Sequence, residues 1–145
     1  MNVSLISVGK LKQSGGFSDM ADFYQKRISK YAKLHITELK ERPTADEETV
    51  LIQRSIPTSS FVIALREEGQ SFDTVAFADL FRKIQQRGRM PVFVVGGAYG
   101  YGDISENLAL SIAPWTLPHQ LARIILLEQI YRSLSLISGS KYHHA

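Results

Sequence analysis

The run PVFVVGGAYGYGD, Pro91–Asp103, is a short apolar stretch that opens directly into a glycine-rich loop. A run of strand length that is apolar throughout suits a strand covered on both faces, as in a parallel sheet flanked by helices. FVIAL, Phe61–Leu65, has the same character. Between them lies DTVAFADLFRKIQQRG, which reads as a helix capped by Asp73 or Thr74 and stopped by Gly88. Strand, helix, strand is the repeating unit of α/β architecture.

The pattern extends outward in both directions. Asn2–Gly9 alternates and ends in glycine, so it reads as a strand. Met20, Phe23, Tyr24, Ile28 and Tyr31 recur at helical spacing, with Ser18 placed as N-cap. Leu34–Lys40 reads as a second strand. An acid-rich helix follows, capped near Thr44 or Asp46 and bounded by Pro43 and Pro57. REEGQSF, Arg66–Phe72, reads as a turn. ISENLA, Ile104–Ala109, reads as a short helix, and Leu110–Pro114 as a short strand or extended segment. A long helix and a polar tail, SGSKYHHA, close the chain. Alternating strands and helices predict an α/β domain spanning 1–145, with a mainly parallel sheet and helices on both faces.

Composition sets limits. The chain has 145 residues, 44% hydrophobic and 21% charged, and no cysteine. That excludes disulfides and thiolate metal sites, and no metal is expected. The first residues lack the order of a signal peptide, and no apolar run approaches a membrane span. The expected location is the cytoplasm, with no membrane partner. A net charge of +3 permits a polyanionic partner without requiring one.

The glycine loop has the spacing Gly97-x-x-Gly100-x-Gly102, preceded by Gly96. It is neither the dinucleotide fingerprint nor a P-loop, since Asp103 stands where the lysine would. Loops leaving the carboxyl ends of parallel strands are where ligands bind in such sheets. A flexible turn is the alternative. Downstream, Pro114 and Pro118 fix φ and remove two backbone donors. Backbone groups of Ile112, Ala113, Trp115 and Leu117 therefore need partners outside a helix ladder. A bound adenine edge or ordinary tertiary contacts would supply them.

The helix after Pro118 is apolar over more than one face, from Leu121 through Ile124–Leu127 to Ile137. One face suits the sheet, and a second copy of the helix would cover the other, which points to a homodimer. Its polar residues come in pairs four apart, His119 with Arg123 and Glu128 with Arg132, so each pair shares a face.

VVGGAYGYGD, WTLPHQLARIILLEQIYR and the closing YHH together resemble the RlmH/YbeA family. Its members are knotted, SPOUT-class methyltransferases that act on N3 of a pseudouridine in large-subunit ribosomal RNA. SLISVGKLK and IALREEGQSFDTVAFADLF are also similar to it, so the resemblance spans nearly the whole chain. It implies a C-terminal trefoil knot and S-adenosylmethionine as cofactor. The cofactor would sit against Leu65, Gly96 and the segment Ile112, Ala113, Pro114, Trp115, Thr116 and Leu117. The resemblance also implies a homodimer in which Tyr142 and His143 complete the partner's site, and ribosomal RNA, in the assembled 70S ribosome, as substrate. The chain departs from the family at Ala113-Pro114-Trp115, at Arg66 where an acid is common, at a short 103–111 stretch, and at His144 where a basic residue is common.

Methyl transfer to N3 requires loss of its proton and in-line placement of the methyl. Arg123, Arg132 and His143 are the expected groups to stabilise the N3 anion, with His143 as the possible base. Glu128 would orient an arginine, and His119 would bind RNA or cap the site. Lys10, Lys12, Lys26, Arg27 and Lys30 are candidates for a basic surface, or are simply solvated. Two rivals stay open: a knotted transfer-RNA methyltransferase, and a dimeric ligand-binding module without chemistry.

Overall fold

Parallel pairing organises the molecule. In the computed structural model, which describes residues 1–144, five strands form one sheet. They are β1 (Asn2–Val8), β2 (Lys33–Leu39), β3 (Ser60–Ser71), β4 (Met90–Val95) and β5 (Leu108–Ser111). The order is β2-β1-β4-β3-β5 and every pairing is parallel. The helices are α1 (Phe17–Ile28), α2 (Ala45–Ser55), α3 (Thr74–Gln86) and α4 (His119–Ile137).

Side-chain alternation divides the core in two. Val3, Leu5, Ile63, Phe93 and Val95 project to one face, where α1, α3 and α4 cover them. Phe77, Phe81 and Phe93 meet there, with ring centroids 5.3–5.9 Å apart. Val8, Val62, Ala64 and Val94 project to the other face, against Ile52 of α2 and Ile104. Helices therefore lie on both faces, and the central strands read as continuous apolar runs because both of their faces are covered.

Caps follow local chemistry. The Thr44 side chain accepts from the Glu47 amide at 3.2 Å, and Asp73 accepts from Ala76 at 2.8 Å. Gly88 ends α3 at a positive φ of 67°. Ser18 is not a cap. It lies inside α1, which starts after Gly16, and Gly16 takes a left-handed conformation without side-chain capping.

Two further expectations are corrected. REEGQSF is not a simple turn, because β3 runs on to Ser71. Its register slips, so that Leu65 and Gln70 both face Leu110. Gly69 makes this possible: a Cβ there would lie 2.7 Å from the carbonyl carbons of Ala109 and Leu110. Residues 104–109 are not a helix. The Asn107 amide donates to the Val62 carbonyl at 2.9 Å, and its side-chain oxygen accepts from the Val62 amide at 2.8 Å. Those bonds to β3 draw the chain into β5 and replace a helix ladder.

α4 uses much of its apolar breadth within the chain. It packs between α1 and α3, and Ile124, Leu126, Leu127, Ile130 and Leu134 are buried. Leu121, Ile125 and Leu136 are only half-buried. The breadth alone thus does not demand a second copy.

Candidate active site

β3, β4 and β5 run the same way, and a cleft of about 290 Å³ opens where β3 slips its register and where β4 and β5 end. Three segments wall it: Leu65–Glu68, the glycine loop from Gly96 to Tyr101, and the stretch from Leu110 to Leu117. Val95, Leu110, Ile112, Leu117 and Ala122 give it an apolar lining, while Glu67 and Glu68 add carboxylates. Leu65, Gly96, Ile112, Ala113, Trp115 and Leu117 all line it. Pro114 and Thr116, between them, are exposed and do not. Trp115 is 77% exposed and Tyr99, on the glycine loop, is 75% exposed.

One guanidinium ties these walls together. Arg66 binds Glu106 in a fork, Nη2 to Oε1 at 2.7 Å and Nε to Oε2 at 2.8 Å. It also donates to the carbonyls of Tyr101 at 3.2 Å and Gly102 at 2.8 Å. Its guanidinium lies 4.4 Å from the Tyr101 ring centroid. The Tyr101 hydroxyl in turn donates to the Leu65 carbonyl at 2.7 Å. Burial raises the Tyr101 phenol well above its ordinary pKa, so it stays a donor. The Arg66 guanidinium is raised too, chiefly by its hydrogen bonds to Glu106. Gly96 lies under that ring, where a Cβ would meet Cδ1 of Tyr101 at 2.5 Å. Arg66 stood out in the sequence only as a departure from the resemblance, and nothing local pointed to Glu106 or Tyr101.

The polar residues of α4 separate into three places. His119, the first residue of α4, lines the cleft. Arg123 is only 4% exposed and reaches away to β2, donating to Glu38 Oε2 at 2.7 Å. Glu128 and Arg132 form a half-buried pair at 2.6 Å, and the tail folds onto it. The Tyr142 hydroxyl donates to Glu128 Oε1 at 3.2 Å. The Tyr142 ring lies 4.6 Å from that of Tyr131 and 4.8 Å from the Arg132 guanidinium.

Arg132 Nη1 stands 3.1 Å from His143 Nδ1. A guanidinium only donates, so Nδ1 is the acceptor and the His143 proton sits on Nε2. The hydrogen bonds to Glu128 raise the Arg132 pKa, and burial raises that of Tyr142. None of Glu128, Arg132, Tyr142 or His143 lines the cleft of the same chain.

Of the surface candidates, Lys10, Lys12, Lys26 and Lys30 are exposed. Arg27 is half-buried, 4.2 Å from the Phe23 ring centroid. Among the described residues no group of three or more His, Cys, Asp or Glu is placed to hold a metal ion. Among the described residues no helix is long and apolar enough to cross a membrane.

Known proteins match this chain along its length. The family described as "Predicted SPOUT methyltransferase" matches residues 1–143. A protein of Clostridium botulinum (strain Kyoto / Type A2), named ribosomal RNA large subunit methyltransferase H, is 40% identical over 99% of both chains. Its counterpart in the Okra strain of that species has the same name and is 39% identical over the same shares. The matched region runs from β1 through the cleft to the tail that folds on Glu128. The chain therefore belongs to the SPOUT methyltransferase family.

Proposed function

We propose that this protein transfers a methyl group from S-adenosylmethionine to N3 of a pseudouridine in 23S ribosomal RNA, acting as a homodimer on the assembled ribosome in the cytoplasm. The cleft carries the reading, because it joins three neighbouring parallel strands at the segments the resemblance assigns to the cofactor. Relatives of full length named for large-subunit ribosomal RNA methylation support the substrate class.

The residues present fit the cofactor. The apolar lining suits an adenine ring, and the proline-bracketed backbone of 112–117 offers groups to its edge. Glu67 and Glu68 put negative charge where a cationic ligand would lie. When bound, S-adenosylmethionine supplies an electrophilic methyl on a sulfonium. In the transfer, the N3–carbon bond forms, the sulfur–carbon bond breaks, and N3 gives up its proton.

The tail cluster handles the charge on N3 in this reading. Arg132, held by Glu128, offers a fixed cation beside the forming anion. His143 takes the proton at Nδ1, which requires it to release Arg132. Since the cluster lies apart from the cleft of its own chain, the reading has one subunit's tail complete the other's cleft. His119, at the cleft wall, orients the RNA. Arg123 is already paired with Glu38, so its part is to fix α4 beneath the site. The trefoil knot of the family, tied by the C-terminal segment, belongs to the same reading.

The test is methyl incorporation from labelled S-adenosylmethionine into 70S ribosomes, free ribosomal RNA and transfer RNA. The expected product is a methylated pseudouridine in 23S RNA, made only from ribosomes. Labelling of transfer RNA alone would sink the assignment in favour of the transfer-RNA enzyme, and no labelling at all would leave a binding module.

A further inference from the structure

The segment from Tyr101 to Asn107 has no regular secondary structure, yet it links two walls of the cleft. Its tethers fall into two sets. One set runs to α2 and the body of β3. The Gly102 amide donates to Thr49 Oγ1 at 2.8 Å, the Ser105 amide donates to Gln53 Oε1 at 2.8 Å, and Asn107 brackets Val62. Ile104 is buried in the α2-side core. These bonds hold the segment to the fold and need no help from Arg66.

The other set converges on the Arg66 guanidinium: the fork to Glu106 and the bonds to the Tyr101 and Gly102 carbonyls. Its side chain and that of Glu106 are both largely covered, 16% and 19% exposed. Arg66 is also itself part of the cleft lining. It belongs to the first wall, Tyr101 to the second, and Glu106 to the strand of chain that feeds the third. Since the first set already secures the fold, the second set acts on the distance between the walls.

We propose that Arg66 is a positioning residue, which through Glu106 and the Tyr101 and Gly102 carbonyls holds the cleft walls at the spacing that binds the methyl donor. The proposal rests on the reading of the cleft as the donor site. The bonds leave from Nε, Nη1 and Nη2, spread along one planar fork, whereas a lysine carries all its donors on a single nitrogen. The latch therefore governs affinity for the donor and leaves the chemical step to other residues.

The test compares the full-length protein with Arg66→Ala and Arg66→Lys. S-adenosylmethionine affinity is read by calorimetry, KM and kcat on ribosomes, and amide hydrogen exchange across 96–107 by mass spectrometry. Arg66→Ala is expected to weaken donor binding at least tenfold and raise KM for the donor by a similar factor. Its kcat at saturating donor should stay within about twofold. Exchange across 96–107 should quicken while β1 and α4 keep their protection. The lysine variant keeps the charge but not the fork, and should recover less than half of the lost affinity, in logarithmic terms. Unchanged exchange in 96–107 overturns the latch whatever the ligand. Faster exchange with unchanged donor affinity overturns its role in binding. If the unaltered protein binds no S-adenosylmethionine while the exchange effect appears, the donor-site reading fails and the proposal falls with it.

Discussion

Arg123 of α4 and Glu38 of β2 meet at 2.7 Å, so the last helix is fastened to an edge strand 85 positions earlier in the chain. The arginine is almost fully covered and the glutamate is about one-third exposed. Removing the carboxylate leaves a buried cation with only the Gly9 carbonyl, at 3.4 Å, as partner. Breaking a buried pair from one side costs roughly 3–5 kcal/mol. The exposure of Glu38 lowers that to an expected loss of about 2 kcal/mol in Glu38→Ala. Urea denaturation checks it, and a loss under about 0.5 kcal/mol would show that the pair does not fasten the helix.

Within the tail, His143→Ala should lose methyl transfer to ribosomes while binding S-adenosylmethionine as the unaltered protein does. Glu128→Gln should cut turnover too, because Arg132 and the Tyr142 hydroxyl both rest on that carboxylate. Single-turnover kinetics beside calorimetry separate the two effects. Full turnover in His143→Ala rules out the proton role.

The buried Tyr101 phenol links stability to alkaline pH. Its folded-state pKa is raised above the ordinary tyrosine value of about 10. The folded protein then holds the phenolic proton more tightly than the unfolded chain does. The stabilisation is complete below pH of about 10 and declines as pH rises beyond it. Tyr101→Phe lacks the titrating group, so its melting temperature should fall less steeply between roughly pH 9 and 11 than that of the unaltered protein. Parallel slopes would mean that Tyr101 does not carry the effect. At neutral pH the same variant should lose about 1 kcal/mol, the worth of its bond to the Leu65 carbonyl.

Trp115 is the sole tryptophan and lines the cleft. Its exposed indole should emit as a solvated group, then shift to shorter wavelength when S-adenosylmethionine fills the cleft. Fluorescence titration reads this directly, with Trp115→Phe as the silent control. Emission that stays fixed while calorimetry shows saturation would remove the 112–117 segment from the binding site.

Gly69 offers a sharper packing test. A Cβ at this position would collide with the backbone of β5, which has no flexible end to move aside. Gly69→Ala should destabilise by about 1–3 kcal/mol, the usual range for overpacking. A denaturation midpoint equal to that of the unaltered protein would contradict the close crossing.

What could be read from the sequence depended on whether the signal was local. Phe61–Leu65 and Pro91–Val95 announce covered strands because burial on both faces demands apolar residues at every position. Thr44 and Asp73 mark helix starts because capping involves residues only three apart. Of the eight residues expected against the cofactor, the structure brings Leu65, Gly96, Ile112, Ala113, Trp115 and Leu117 to one cleft. The failures share a different cause. Ile104–Ala109 has passable helical composition, but its bonds go to Val62 and Arg66, more than 35 positions away. The same distance hid the Arg66–Glu106 pair. Arg123 and Arg132, nine positions apart, stand on opposite sides of α4, but only the fold shows that one side meets β2 and the other the tail.

The strand order carries a kinetic consequence. β4 lies between β1 and β3, with Ser4 beside Val92 and Val62 beside the same residue. A chain emerging from its amino terminus can pair β1 with β2 early, yet β1 and β3 both keep an unsatisfied edge until residues 90–95 arrive. Such delayed parallel pairing is slow, and open edges invite wrong partners. Synthesis halted before Met90 should therefore yield a fragment that aggregates, and the central strand acts as the keystone whose arrival joins β1 to β3.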